Sequence, residues 1–179
     1  MLQIFKNNKG SLLLELVIVI GIIVGVLGAI LGLSTFSLLA SSTVQQTAEA
    51  VALAEEYAEA LRNYRDGVPW DQDDPANEYD GFEYVDFDKN PFRLEKSGDS
   101  PPQWKLLSVP VSGQSDTVGI FTREIIMEFA HRDANDNIDS SAPDKDDQTV
   151  AISIRVSWQE RGRTHMVEVA NYLTNWQQL

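Results

Sequence analysis

The feature that most constrains this chain is an uninterrupted apolar run near its N-terminus. Between Leu12 and Leu33 every residue is Leu, Val, Ile, Gly or Ala, except for Glu15. At about 1.5 Å per residue, a helix of this length spans roughly 33 Å, which is enough to cross a bilayer core of about 30 Å. The run therefore predicts a membrane-spanning helix that carries one carboxylate close to its start.

A carboxylate inside such a helix requires a partner, because an ionised side chain near the bilayer centre costs about 2.5 kcal/mol or more. The ten residues before Ser11 contain Lys6 and Lys9 and no acid. The positive-inside rule places this flank in the cytoplasm and the C-terminal bulk outside it. A secretory signal cut near Leu39–Ser42 is the alternative, but the apolar run is longer than the core of such signals.

The charge and composition of the chain exclude several classes of function. Its 179 residues allow one ordinary domain besides the membrane helix. With 27 acidic and 14 basic residues, the formal net charge is -13, so we expect repulsion of phosphate backbones and no nucleic-acid binding. There is no cysteine, which excludes disulfides and thiolate metal sites. The common sequence motifs of hydrolases, nucleotide-binding loops and zinc proteases are absent, and we expect no enzyme.

The helix is predicted to continue beyond the membrane as an amphipathic segment over residues 34–66. Its apolar positions recur every three or four residues, at Val44, Ala48, Val51, Ala54, Ala58 and Leu61. Gly67 and Pro69 then provide stop signals. A helix from Ser11 to Asn63 would be roughly 80 Å long, so we expect another surface to pack along it.

The remainder of the chain predicts a loop followed by a sheet. Residues 67–103 are rich in Asp, Asn, Gly, Pro and aromatic side chains, which indicates a long loop with a short strand or hairpin near Phe82–Phe87. Residues 104–179 predict an antiparallel sheet of about four strands, at Trp104–Val111, Phe121–His131, Thr149–Trp158 and His165–Leu173, with a hairpin turn at Glu160–Arg163. The expected fold is α+β, with the long helix packed on the apolar face of this sheet.

This arrangement resembles the type IV pilin and type II secretion pseudopilin superfamily. The resemblance rests on a basic leader over residues 1–10 that ends in Gly10, on Glu15 five residues into the mature chain, on the apolar helix over residues 11–33, and on the order of helix, loop and sheet. It implies that a prepilin peptidase cuts between Gly10 and Ser11 and methylates the new N-terminus. The family commonly has Phe where this chain has Ser11. A minor pilin or pseudopilin is favoured by that unusual residue, by the long acidic loop and by the lack of a cysteine pair.

Cleavage after Gly10 would supply the partner that Glu15 requires. The new amine at Ser11 would lie four residues from Glu15, on the same helix face. In an apolar filament core, the amine of one subunit paired with Glu15 of its neighbour would neutralise two costly charges and set the axial register. Close helix packing is further favoured by small residues at Gly21, Gly25, Gly28 and Gly32.

The resemblance also implies a location and partners. The subunit is expected to span the inner membrane once and then to enter an extracellular or periplasmic filament. Its partners would be other pilin subunits, the prepilin peptidase and a pilus or secretion assembly platform. Two alternatives stay open: a pilus-borne adhesin that binds through the loop over residues 67–103, and a membrane-anchored extracellular domain that does not polymerise.

One stretch near the C-terminus predicts either a calcium site or an Asn/Asp-rich turn without an ion. Oxygen-bearing side chains occur at Asp133, Asn135, Asn137, Asp139 and Asp144, in partial agreement with the ligand spacing of a calcium loop. Ile138 stands where an EF-hand needs glycine, so that fold is excluded. A calcium-stabilised loop between strands stays open, because some type II pseudopilins bind calcium in their C-terminal region. No other cofactor is expected.

Overall fold

The computed structural model describes residues 9–176, with side chains from residue 13 onward. A single long helix, α1, runs over Lys9–Gly67 and ends at the glycine that the sequence indicates. The chain divides into two compact units between Gln46 and Thr47, and α1 contributes to both. The helix thus continues without a break beyond the apolar run.

The second unit contains a six-stranded antiparallel sheet rather than the expected four strands. The strands are β1 (Phe92–Lys96), β2 (Trp104–Ser108), β3 (Asp116–Val118), β4 (Phe121–Arg132), β5 (Asp144–Glu160) and β6 (Arg163–Thr174). Their order is β2-β1-β4-β5-β6, and β3 pairs with β4. The short helix α2 (Val109–Ser112) follows β2. The α+β class is confirmed.

The three long strands lie where the alternation predicts them, and β5 and β6 form the predicted hairpin. Its two turn residues, Arg161 and Gly162, have φ angles of 53° and 77°, as a two-residue turn of type I′ requires. Along β5 every second residue is buried, at Val150, Ile152, Ile154, Val156 and Trp158. This strand therefore directs a continuous apolar row toward the core.

Between α1 and β4, one predicted strand is absent and another ends earlier than predicted. No strand or hairpin forms at Phe82–Phe87, where turns lead into a 3₁₀ helix over Phe87–Lys89. The predicted strand Trp104–Val111 ends at Ser108, whose side chain accepts a hydrogen bond from the N–H of Val111 and caps α2. The strand that the sequence analysis did not predict is β1, which pairs with β2 from Phe92↔Ser108 to Lys96↔Trp104. Because this pairing joins two separate segments of the chain, neither segment alone shows a pattern that predicts it.

The buried stripe of α1 also differs from the predicted one. Ala54, Ala58 and Leu61 are buried as expected, whereas Val44 is 69% exposed and Ala48 is exposed. The stripe begins later and continues further, through Ala50, Ala54, Tyr57, Ala58, Leu61 and Tyr64, and Val68 directly after α1 is buried as well. The two tyrosines are buried because each hydroxyl has a backbone partner: Tyr57 accepts from the N–H of Leu94 at 2.7 Å, and Tyr64 donates to the carbonyl of Asp80 at 2.6 Å.

The core lies between this stripe of α1 and the inner face of the sheet. One cluster joins the helix residues to buried side chains of five strands, Phe92, Leu94, Leu106, Phe121, Ile125, Met127, Val150, Ile152, Ile154, Val156, Trp158 and Leu173. The loop after α1 is attached through Trp70, whose ring packs 5.1 Å from that of Phe82 and whose indole N–H donates to Asp147 O. The aromatic residues of this loop therefore hold it to the domain.

Candidate assembly and metal sites

The N-terminal part of α1 has an apolar surface on all sides. Its large side chains from Leu13 to Leu38 are between 46% and 71% exposed within the described part of the chain. Soluble monomers rarely expose a continuous apolar surface of this extent. By length and composition α1 can cross a membrane. Lipid or other apolar helices are therefore the surroundings that suit this segment.

Two hydroxyl groups of this segment form hydrogen bonds within the helix itself. Ser34 Oγ donates to the carbonyl of Ile30 at 2.9 Å, and Thr35 Oγ1 donates to that of Leu31 at 2.6 Å. Such bonds to the preceding turn remove the need for water. The glycines at 21, 25, 28 and 32 have open space where a Cβ would lie, so a neighbouring helix could approach closely there.

Glu15 is the charged exception in this surface. Its side chain is exposed and forms neither a hydrogen bond nor an ion pair within the part of the chain that the structure describes. The proposed cleavage position, Gly10–Ser11, lies in the first turn of α1; the side chains at both positions, and residues 1–8 of the leader, lie outside the described residues.

Four of the five predicted calcium residues lie in the turn between β4 and β5, where the Asp133 side chain accepts several hydrogen bonds. Its Oδ1 accepts the backbone N–H groups of Asn135 and Asn137, both at 2.9 Å. Its Oδ2 accepts Nδ2 of Asn137 at 3.1 Å. The side-chain and backbone donors of Asn137, with the N–H of Asn135, hold the pKa of Asp133 below its usual value. Both oxygens are thus engaged without an ion.

Asp139 and Asp144 are held separately from Asp133. Asp139 Oδ1 accepts the hydroxyl and the N–H of Ser141, at 2.7 and 2.9 Å, which lowers the pKa of this carboxyl. Asp144 begins β5 in register with Arg132. Within residues 9–176, no three His, Cys, Asp or Glu side chains converge in a metal-binding group. Calcium binding here stays a prediction.

The loop after α1 contains a buried carboxylate that the sequence analysis missed. Asp80 is 7% exposed, and its Oδ1 accepts the N–H of Asp74 at 2.8 Å. Burial raises the pKa of Asp80, and the nearby carboxylates of Asp74 and Asp73 raise it further. Asp80 lines a cavity of about 350 Å³ between this loop, β2 and α2. The only feature of the sequence that draws attention to Asp80 is the turn-forming pair Asp80–Gly81.

A groove between α1 and β6 is the second feature that periodicity alone does not reveal. Its small apolar side chains are Ala52 and Ala58 from α1 and Val169 from β6. Three glutamates on exposed positions of α1 also line it, at Glu55, Glu56 and Glu59, together with Arg62 of α1 and Asn171 of β6. The groove is therefore partly apolar and carries more acidic than basic side chains.

Comparisons with protein-family models, with curated proteins and with solved structures find no match. The fold and the exposed apolar helix are therefore the observations on which any function must be based.

Proposed function

We propose that this chain is a structural subunit, a minor pilin or pseudopilin, of a type IV pilus or a type II secretion-like filament. The observation that carries the proposal is the division of α1. Its first part exposes apolar side chains around one carboxylate, Glu15, and its last part is buried on an antiparallel sheet. A helix built in this way inserts into an apolar environment while the sheet stays in water.

The division of α1 also supports the location and partners that we propose. The chain spans the inner membrane once, with the acidic second unit outside the cytoplasm, until it is cut after Gly10. The new amine of Ser11 then pairs with Glu15 of a neighbouring subunit in the filament core. Prepilin peptidase, an assembly platform and other pilin subunits are the proposed partners. A membrane-anchored domain that does not polymerise is the competing proposal, and the exposed helix suits it equally well.

Processing is tested by coexpression of the chain with a prepilin peptidase and mass spectrometry of the mature N-terminus. We expect the mature chain to begin at Ser11. Replacement of Gly10 by a bulkier residue, Gly10→Val, should abolish the cut, because the side chain obstructs approach to the backbone. A chain that still begins at Met1, or begins near Ser41, would contradict the proposal.

Assembly is tested by Glu15→Ala, with Glu49→Ala as the matched control on an exposed position of the same helix outside the apolar run. We expect both variants to be processed. Glu15→Ala should be at least about tenfold depleted from sheared filaments, which corresponds to a loss of about 1.4 kcal/mol per subunit contact. Normal incorporation of Glu15→Ala would refute the pairing role, and processed wild-type chain that enters no filament would favour the membrane-anchored domain.

A further inference from the structure

The outer edge of β6 has the properties of a site for one more strand. Within the described chain, β6 ends the strand order, and only β5 pairs with it. It is 12 residues long and contains neither Pro nor Lys, and its pairing with β5 runs without a bulge from Thr174 to Arg163. Natural sheets usually protect long edges with such residues or with bulges, because unpaired backbone groups are a template for another strand. This edge lacks proline, lysine and bulges, and its charged residues are Arg163 and Glu168.

The hairpin turn determines which backbone groups face outward. Because its loop has two residues, Glu160 and Arg163 form a hydrogen-bonded pair, and such pairs alternate along β6. The N–H and C=O groups that point away from β5 therefore belong to Thr164, Met166, Glu168, Ala170 and Tyr172. Independent support comes from Tyr172, whose N–H donates to the side-chain oxygen of Asn171 at 2.8 Å. The side-chain oxygen of Asn171 thus lies where a carbonyl oxygen of a further strand would accept this hydrogen bond.

The groove beside this edge determines which strand would fit. Of the three glutamates on α1, Glu59 pairs with Arg62, Glu56 lies 3.8 Å from Arg123, and Glu55 has no ion pair within the described residues. Side chains of an added strand that point toward α1 would enter between these carboxylates and the small side chains of Ala52 and Ala58. Lysine or arginine at every second residue would match that surface in charge and in spacing.

We propose that β6 accepts an extended, basic segment of another protein as a seventh strand, with its Lys or Arg side chains directed toward Glu55, which has no ion pair within the described residues. A second copy of this chain is the less suitable occupant. Two β6 edges joined about a two-fold axis would place both α1 helices on the same face of the joined sheet, with like charges directly opposed. The net charge of -13 adds to that repulsion. The proposal does not depend on assembly through Glu15.

The probe is a synthetic nine-residue peptide in which Lys alternates with Thr or Val, added to the full chain in lipid nanodiscs. The matched control is the same peptide with all internal amides N-methylated, which keeps the charge and removes strand pairing. We expect the control to bind at least about tenfold more weakly, since several backbone hydrogen bonds are lost. Equal affinity for the two peptides would overturn the proposal.

Amide hydrogen exchange identifies the binding edge residue by residue. The unmethylated peptide should slow exchange at Met166, Glu168 and Ala170, whose N–H groups face outward, by about tenfold or more. Exchange at Val167 and Val169 should not change, because β5 already protects these N–H groups. Protection that does not alternate, or that lies elsewhere, would overturn the proposal.

Two variants and one control separate strand pairing from general charge attraction. Ala170→Pro removes one outward N–H at an edge position where proline is tolerated, and Glu55→Gln removes one carboxylate. Each should weaken the peptide several-fold, whereas Glu128→Gln, on the opposite face of the sheet, should not. Equal weakening by Glu128→Gln would contradict the proposal. So would concentration-dependent dimerisation of the chain without peptide, accompanied by protection of Met166 and Ala170.

Discussion

At the scale of single residues, the loop after α1 is held by backbone contacts too close for any added side chain. A Cβ at Gly81 would lie 2.1 Å from the carbonyl oxygen of Trp70 and 2.3 Å from that of Pro69. The N–H of Gly81 donates to Gln72 O at 2.7 Å, so the glycine cannot move away without loss of that bond. Glycine is required here because two backbone segments meet.

We therefore expect Gly81→Ala to lower the free energy of unfolding by about 2 kcal/mol or more, since backbone atoms must shift to admit the methyl group. The matched control is Gly98→Ala, where a Cβ meets nothing within 4 Å. Urea unfolding of the full chain in micelles, followed by tryptophan fluorescence, measures both. Equal midpoints for the two variants would show that the loop does not pack in this way.

Asp80 gives a prediction whose size depends on pH. Burial raises the pKa of this carboxyl in the folded state above its unfolded value, so its ionised form destabilises the fold. That destabilisation applies above the raised pKa and disappears as the pH falls below the ordinary carboxyl range. Asp80→Asn keeps a side-chain oxygen for the N–H of Asp74 and carries no charge at any pH.

Asp80→Asn should therefore raise the melting temperature at pH 7 by about 2 °C, the effect of roughly 1 kcal/mol in a chain of this size. The gain should vanish in acid, where wild-type Asp80 is neutral as well. Asp71→Asn, at an exposed position of the same loop, should change the melting temperature little at either pH. A lower melting temperature for Asp80→Asn at pH 7 would mean that the carboxylate stabilises the loop.

At the scale of elements, one side chain connects α1 to two strands. Tyr57 is 1% exposed, and its hydroxyl accepts the N–H of Leu94 in β1 at 2.7 Å. The guanidinium of Arg123 in β4 lies 4.4 Å from the centre of the Tyr57 ring. Burial raises the pKa of the Tyr57 phenol. The position of α1 against the sheet thus depends on a polar atom as well as on apolar packing.

Tyr57→Phe should destabilise the chain by about 1–3 kcal/mol, because the N–H of Leu94 stays buried and loses its acceptor. Tyr84→Phe is the matched control, since the Tyr84 side chain is 49% exposed. Thermal unfolding by circular dichroism compares the two. If Tyr57→Phe has the same melting temperature as wild type, the hydroxyl contributes no net stability to the contact between α1 and the sheet.

At the scale of the whole molecule, an apolar helix and an acidic sheet unit share one chain, and the acidity raises the question of bound calcium. A bound ion at 100 times its Kd would add about 2.7 kcal/mol to the stability of the fold. Since Asp133 and Asp139 are engaged within their own turn, we expect millimolar calcium to shift the melting temperature by less than about 1 °C. Magnesium is the control for general charge screening.

A rise of several degrees with calcium and not with magnesium, lost in Asp139→Ala, would instead establish the loop between β4 and β5 as a calcium site. Differential scanning calorimetry of the full chain in nanodiscs, with chelator as the reference state, measures the effect.

The sequence by itself determined the elements whose signals are local. The apolar run predicts the exposed part of α1, Gly67 predicts its end, alternation predicts β5, and the residues Arg161–Gly162 predict the turn before β6. The processing site at Gly10 and the pairing role of Glu15 likewise come from local sequence and stay predictions. Each of these signals spans a few neighbouring residues, so no partner segment is needed to interpret it.

Only the tertiary structure decided what depends on contacts between distant segments. The buried stripe of α1 lies nearer to Tyr64 than predicted and does not include Val44. Tyr64 can be buried because its hydroxyl has a backbone partner. The tertiary structure placed β1 within the expected loop, since a short strand forms only where its neighbours offer a ladder. It also buried Asp80 and left the edge of β6 open beside three glutamates. Burial and strand order are properties of pairs of segments, and no single stretch of sequence contains them.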